Sequence, residues 1–361
     1  MTHDFLIIGG GIAGVSAAAR LSHLGSVLLL EAEPHLAHHA SGRSAALYEP
    51  RYGAAPVVAL SLASGDYFHS QNNLLTPRGL LILGRRDQSE AFAHDIADMG
   101  IDPITVAEAQ AMVPIVNPAT VALTAYADHA WDIDTDLLLQ TFAREARQNG
   151  AKILIDQRVT AITRDSAWTV HTATATHQAH LIINAAGAWA DPIARMAGVR
   201  PLGLQPMRRS MARIPAPGGH DTSRWPMIFG CGESWYAKPD AGALIVSPAE
   251  EHPMDPHDAW ADDMVLAEGL ARYEEMVTTP VTRLITSWAG LRTFAPDRVP
   301  VIGHDPAQPA FFWLAGQGGY GFQSAPAASQ LAFDLIAARP TGFDDDLIAS
   351  LSPARFSAPD P

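Results

Sequence analysis

Three glycines, Gly9, Gly11 and Gly14, follow directly on the apolar run Phe5-Leu-Ile-Ile8. Their spacing is that of a turn that cradles a pyrophosphate. The first glycine permits the sharp turn, the second lets the backbone approach the phosphates with no Cβ in the way, and the third lets the next helix lie against the strand. Ile12 and Ala13 open that helix, whose N–H groups and dipole favour anions. The second apolar run, Val27 to Leu30, ends in Glu31, a carboxylate placed to accept hydrogen bonds from an adenosine ribose and to repel a 2′-phosphate. Glycine spacing alone is weak; strand, turn, helix, strand and terminal acid in this order point to a dinucleotide site.

Three more stretches have residue types suited to a flat, charged cofactor. Ser41-Gly-Arg-Ser-Ala-Ala46 combines small residues, hydroxyls and one guanidinium, so the chain can pass close to a ring system and its pyrophosphate. His180-Leu-Ile-Ile-Asn-Ala-Ala-Gly-Ala-Trp-Ala-Asp191 is a buried strand running into small residues, the arrangement that brings backbone near a ligand at the carboxyl edge of an α/β sheet. Near the end, the strand-like Phe311 to Ala315 leads into Gly318-Gly-Tyr-Gly321 and a helix through Ala338, whose N-terminus can face negative charge. His35, His38 and His39 have no carboxylate or cysteine at ligand spacing, so a solvated loop is expected there and no metal site.

The elements that must hold these groups read as α/β, α+β overall: a Rossmann-like nucleotide-binding domain with a discontinuous antiparallel-sheet substrate domain. Helices are expected over Val57 to Phe68, Asp87 to Met99 and Leu137 to Gln148, with a capping box at Thr105-Val-Ala-Glu108. Arg78 to Leu83 and Ile153 to Ile155 read as strands, and Val159 to Thr163 with Trp168 to Thr172 as a hairpin. From 201 to 287 the texture changes to repeated strand runs (Arg209 to Ile214, Met227 to Phe229, Trp235 to Lys238, Ala243 to Val246) and one long helix, Ala261 to Met276. The expected division is 1–76, 132–200 and 288–361 for the nucleotide domain, 77–131 and 201–287 for the substrate domain.

The 361 residues carry 24 Lys and Arg against 38 Asp and Glu, a formal charge of −14 that argues against nucleic acid or an acidic membrane as partner. The one cysteine, Cys231, excludes an internal disulfide and a thiolate cluster, and a reducing compartment follows. No apolar run is long enough to cross a bilayer and no basic segment precedes the first one, so a cytoplasmic protein is expected.

Taken together, the N-terminal fingerprint, Ser41 to Ala46, Asn184-Ala-Ala-Gly-Ala-Trp189, Trp288-Ala-Gly-Leu-Arg292 and Gly318-Gly-Tyr-Gly-Phe-Gln323 resemble the FAD-dependent D-amino-acid oxidase superfamily, most of all its bacterial D-arginine dehydrogenases. The resemblance covers nearly the whole chain. It implies non-covalent FAD, extended between the two domains, and oxidation of a D-amino acid to an imino acid that hydrolyses to a 2-oxo acid and ammonia. The cofactor contacts it implies are Gly9, Gly11, Ile12, Ala13 and Gly14; Glu31 and Ala32; Ser41, Gly42, Arg43, Ser44, Ala45 and Ala46; Val159; Ala186, Gly187 and Trp189; and Gly318, Gly319, Tyr320, Gly321, Phe322 and Gln323.

At the substrate, Arg209 and Arg292 match a carboxylate-binding pair, Tyr52 and Tyr236 match tyrosines lining the pocket, and Gln323 matches a glutamine at the flavin edge. Met227 falls at the pocket rim. Two departures are informative: an expected histidine is Leu47, and the acid expected to bind a cationic side chain falls on Leu80. Neutral or apolar side chains are therefore expected, because an unpaired guanidinium beside Leu80 costs its desolvation. Glu49, where a neutral hydroxyl residue is expected, keeps an alternative open, in which it would restore the negative charge from another wall. Glycine-, sarcosine- or opine-type amines, a nicotinamide-dependent dehydrogenase and a non-catalytic flavin-binding protein stay open, as does the electron acceptor.

Overall fold

The computed structural model describes residues 2–357. The opening apolar run becomes the strand Thr2–Ile8, flanked in parallel by Val27–Leu30 on one side and Thr176–Asn184 on the other. Lys152–Leu154 and Phe311–Ala315 extend the parallel set outward. Leu6, Ile7, Leu28 and Leu29 are at most 1% exposed, which is why these strands are continuously apolar instead of alternating: both faces are covered. Ile12–Leu21, Thr135–Gln148 and Gly321–Ile336 pack together on one face. On the other, Ile193 and Ala194 of the helix Ala190–Met196 pack with Trp168 and Trp313. The expected hairpin is present and continues the sheet as Val159–Arg164 and Trp168–Thr172. The parallel strands all deliver their next residues to one edge: Gly9, Glu31, Ala185 and Gly316.

The second sheet has nine strands. Most neighbours are antiparallel, as expected, but Met227–Gly230 runs parallel to Leu80–Gly84. The long excursion of chain between those two strands, through the first sheet, supplies the crossover that a parallel pair needs. Thr286–Phe294 pairs along its whole length with Gln205–Pro215, so the expected boundary at 287/288 falls inside a strand. That strand leads from the second sheet back to the cofactor edge of the first and carries Arg292 near its end. A small sheet of Leu47–Tyr48, Leu75–Pro77 and Trp131–Ile133 joins segments of both domains.

The helix expected over 57–68 is two, Ala55–Ala63 and Gly65–Ser70. Ser64 at the break donates its hydroxyl to Leu60 O at 2.8 Å and accepts the N–H of Ala327, and Gly65 leaves room for the Tyr48 hydroxyl. The Thr105 capping box is formed as expected.

The close approach of helix to strand is tightest at Gly14, where an added Cβ would overlap the Gly9 carbonyl oxygen, a backbone atom that cannot swing aside. Gly14→Ala should lower stability by about 2 kcal/mol or more, read as a drop in unfolding midpoint together with a reduced flavin content of the purified protein.

Candidate active site

Three cavities lie in series where the two sheets meet. The largest, about 330 Å³, opens at the edge of the first sheet and is lined by Gly9, Gly11, Glu31, Ala32, Val159, Ala186, Gly187 and Trp189. A second of about 120 Å³ shares Gly11, Ser41, Arg43 and Gly187 with it and continues past Ile12, Ala13 and Ser44 to Gly318, Gly319, Gly321 and Phe322. A third of about 60 Å³ shares Ser44, Arg209, Arg292 and Gly319 with the second and is walled by Ala45, Ala46, Leu47, Glu49, Tyr52, Met227, Phe229, Glu233, Tyr236 and Gln323. The sequence places these segments hundreds of residues apart, and the fold lines them up as one trough from nucleotide to substrate.

The trough fits an extended dinucleotide. A Cβ added at Gly187 would meet nothing within 4 Å, and one at Gly11 only Ser41 Oγ at 3.1 Å, so the floor is bare where phosphates approach. Glu31 is 7% exposed; its carboxylate accepts from the N–H groups of Gly10 and Glu33, and its remaining lone pairs are available to a ribose. The N–H of Ile12, expected to be free for the pyrophosphate, is instead capped by Ser41 Oγ at 3.0 Å. Asn184, fully buried, donates to Ala190 O at 2.8 Å and so shapes the turn of small residues after its strand.

Several expected contacts serve the trough from outside it. Gly14 lies beneath the first helix turn and Gly42 against the Ala37 carbonyl, and neither lines a cavity. Tyr320 packs on Tyr52 with ring centroids 5.3 Å apart. Arg43 does line the first two cavities, but its guanidinium is spent on Ala259 O, Ala289 O and Asp258, which clasps the Ser41–Ala46 segment to those residues. The histidine loop does contain a carboxylate, against expectation: Glu33, His38 and His39 converge, with Glu33 Oε1 at 3.2 Å from His39 Nε2. Glu33 is also paired with Arg158 at 2.7 Å, and all four residues line the first cavity.

The arginines are sorted by strand register. Met207 is opposite Arg292 in the antiparallel pair, so Arg209, two residues on, shares the face of Arg292, and Arg208 points to the other side. Arg208 is held there by Glu250, Asp262 and His252. Arg209 is 3% exposed and donates from Nη2 to Glu251 at 3.0 Å, leaving Nε without a partner.

Arg292 has no side-chain hydrogen bond or ion pair among the described residues. Burial works against its charge, but Tyr236, Tyr52, Glu233 and Tyr320 around it outweigh that and hold its pKa above the ordinary value. A Cβ at Gly319 would press on the guanidinium at 2.8 Å, which is a reason for glycine in that wall.

Tyr52 is held as a neutral phenol, first by burial and then by the nearby Glu233. The Tyr236 hydroxyl donates to Met211 Sδ at 3.2 Å. Gln323, expected to work at the flavin edge, uses its amide to fix the turn before Tyr52: Oε1 accepts from Glu49 N–H at 3.1 Å and Nε2 donates to Tyr52 O at 3.4 Å.

Leu80 is a correction. It is fully buried between Ala127 and Met227 of the neighbouring strands and does not reach the third cavity, which Met227 closes off from it. Two acids that do matter here are Glu49, expected, and Glu233, which the sequence did not reveal. Glu233 sits at positive φ (52°) in a turn after Gly232, and only the folded turn brings it to the rim.

Glu49 is 2% exposed, and burial pushes its carboxyl up to about 7 although the N–H and charge of Arg51 oppose this. An acid raised on folding is stabilised only while protonated, so stability is fully present below about pH 4.5 and is lost as pH rises through about 7. Glu49→Gln should therefore match the wild type in acid and exceed it by about 2 kcal/mol above neutrality, as checked by denaturant unfolding across that pH range.

The family model for FAD dependent oxidoreductases, DAO, matches residues 4–335. FAD-dependent oxidoreductase domain-containing protein 1 of Bos taurus is 23% identical over 398 residues, spanning 92% of this chain and 81% of its own. Glycine oxidase from Geobacillus kaustophilus shares the fold with a TM-score of 0.82 at 22% identity, over 98% of this chain and 99% of that one. Iminodiacetate oxidase from Chelativorans sp. BNC1 does so with a TM-score of 0.78 at 20% identity, over 97% and 98%. With the trough, the bare glycine floor and a match that spans both domains in hand, the chain belongs to the DAO family of FAD-dependent oxidoreductases, and the nicotinamide reading gives way to FAD.

Proposed function

We propose that this protein oxidises the amine of a small amino acid, a D-amino acid with a neutral side chain, to the imino acid, which hydrolyses to the 2-oxo acid and ammonia. The observation that carries this reading is the unpaired Arg292 guanidinium in the wall shared by the second and third cavities. The guanidinium is part-buried and lines both cavities, and a substrate carboxylate supplies the missing charge in a fork-like pair of hydrogen bonds. Arg209, on the same face, adds positive charge while Glu251 holds its orientation.

With the carboxylate so fixed, Tyr52 and Tyr236 confine the substrate from the sides, so that orientation is the chief contribution of the protein. FAD, when bound, supplies the acceptor for the hydride that leaves Cα. The N-terminus of the helix Gly321–Ile336 presents the positive end of its dipole to the second cavity through Gly321 and Phe322.

The third cavity is the smallest of the three, and its wall of Tyr52, Met227, Phe229 and Tyr236 supports a short neutral side chain. The motif likeness to D-arginine dehydrogenases thus bears on the carboxylate clamp and not on the side chain. The same small volume favours one second reading, a glycine- or sarcosine-type amine. Glycine oxidase and iminodiacetate oxidase, which share the fold, carry substrates of that kind in their names.

Anaerobic bleaching of the flavin by D-alanine, L-alanine, glycine, sarcosine, iminodiacetate and D-arginine tests the assignment. D-Alanine or sarcosine should lead and D-arginine should trail; no bleaching by any of them would overturn it. Arg292→Met should raise KM about a hundredfold while the flavin content is kept. Leu80→Glu should unfold the protein, losing more than about 3 kcal/mol, instead of conferring activity on D-arginine.

A further inference from the structure

Glu49 stands in the wall of the third cavity with His129 behind it, and carboxylate binding uses neither. Arg51 N–H fixes Glu49 Oε1 at 3.1 Å. The other oxygen, Oε2, takes no hydrogen bond and lies 3.2 Å from His129 Nε2, within reach but out of line, and that nitrogen is unpartnered too. The His129 side chain is 23% exposed against 3% for Glu49, so the ring joins a buried carboxylate to solvent. Gln323 and the Tyr52 N–H hold the Glu49 backbone from both sides.

An amino acid arrives as a zwitterion, and its nitrogen must lose a proton before Cα can release a hydride. Arg292 takes the negative end; the positive end then needs an acceptor. We propose that the Glu49 carboxylate is that acceptor: an N–H bond of the substrate ammonium breaks with its electron pair left on nitrogen, an O–H bond forms on Glu49, and His129 takes that proton at Nε2, beside Oε2, and releases one to bulk water from the part of its ring that solvent reaches. The proposal rests on the amine-oxidising reading above and adds to it a route for the proton.

The surrounding charges suit the task. Arg51 beside Glu49 and the two arginines across the cavity favour the carboxylate, Glu233 at the rim opposes it, and Tyr48 on the adjoining strand is kept a neutral phenol by burial. Burial dominates, so Glu49 titrates near neutrality, while burial and then Arg51 move His129 down against the pull of Asp128. Burial thus makes Glu49 a stronger proton acceptor than an ordinary carboxylate and His129 a group that gives its proton up to solvent more readily than an ordinary imidazole.

The test is the limiting rate of anaerobic flavin reduction by D-alanine and by sarcosine between about pH 6 and pH 10. The wild-type rate should level off above an ionisation near neutrality. Glu49→Gln should be about a hundredfold slower at neutral pH and recover as pH rises and the free amine accumulates, whereas Glu49→Asp keeps the wild-type profile. His129→Gln should be slowed and rescued by added imidazole. Propionate, the same carboxylate without the amine, should perturb the flavin spectrum of Glu49→Gln at concentrations no higher than for the wild type, which shows the pocket intact. A Glu49→Gln profile that overlays the wild type, or loss of propionate binding in that variant, overturns the proton role alone. Failure of all six amines named above to bleach the wild type overturns the proposed function and this inference with it.

Discussion

A protonated guanidinium held in a protein wall with no anion of its own is the constraint on which the substrate end of this molecule turns. Arg292 can be tolerated there because it is only part-buried and Glu233 stands near it, and because the strand that bears it is locked along nine residues to its neighbour. The same strand pairing fixes Arg209 on the same face and turns Arg208 away. A pair of positive charges is thus set by backbone register and not by flexible side chains reaching in, and the geometry exists before a ligand arrives, so less ordering remains to be done on binding.

Most of the nucleotide half was legible because local physics and tertiary role coincide there. A turn that must pass under a pyrophosphate needs glycine at fixed offsets, and a strand covered on both faces needs an uninterrupted apolar run, so Phe5 to Gly14 and Val27 to Glu31 announce themselves. Thr105 marks a helix start for an equally local reason, since its side chain accepts from the Glu108 N–H in the first turn.

The substrate end was legible only where a motif fixed it. Leu80 was placed in the pocket by the family resemblance, yet it is fully buried between its strand neighbours Met227 and Ala127, and of the three only Met227 lines the cavity. Glu233 and His129 stand in a turn and a loop with no periodicity to betray which way they face. Gln323 was recognised but its work was not: an amide can bind a ring edge or clamp a backbone, and only the folded turn at Glu49 to Tyr52 decides between them. The helix break at Ser64 escaped for the same reason, being set by Ala327 and Tyr48 from distant parts of the chain.

What keeps the trough continuous is a set of ionic clasps at the seam between domains. Lys238, on the second sheet and 9% exposed, donates to Ala46 O at 2.8 Å and Ala45 O at 3.3 Å and pairs with Asp132 at 2.9 Å. Asp132 in turn is held by Arg78, whose guanidinium also reaches Ser223 O and Trp225 O. Arg43 makes the reciprocal contact, from the Ser41–Ala46 segment to Ala289 on the strand of Arg292. The segment that borders both the second and the third cavity is therefore gripped from two directions, and each grip ends on backbone carbonyls, which cannot be displaced by rotating a side chain. Buried ion pairs contribute little net stability once desolvation is counted. Their value here is positional: they fix the distance between the carboxylate clamp and the nucleotide edge, which is the quantity that the oxidation of a small, featureless substrate depends on most.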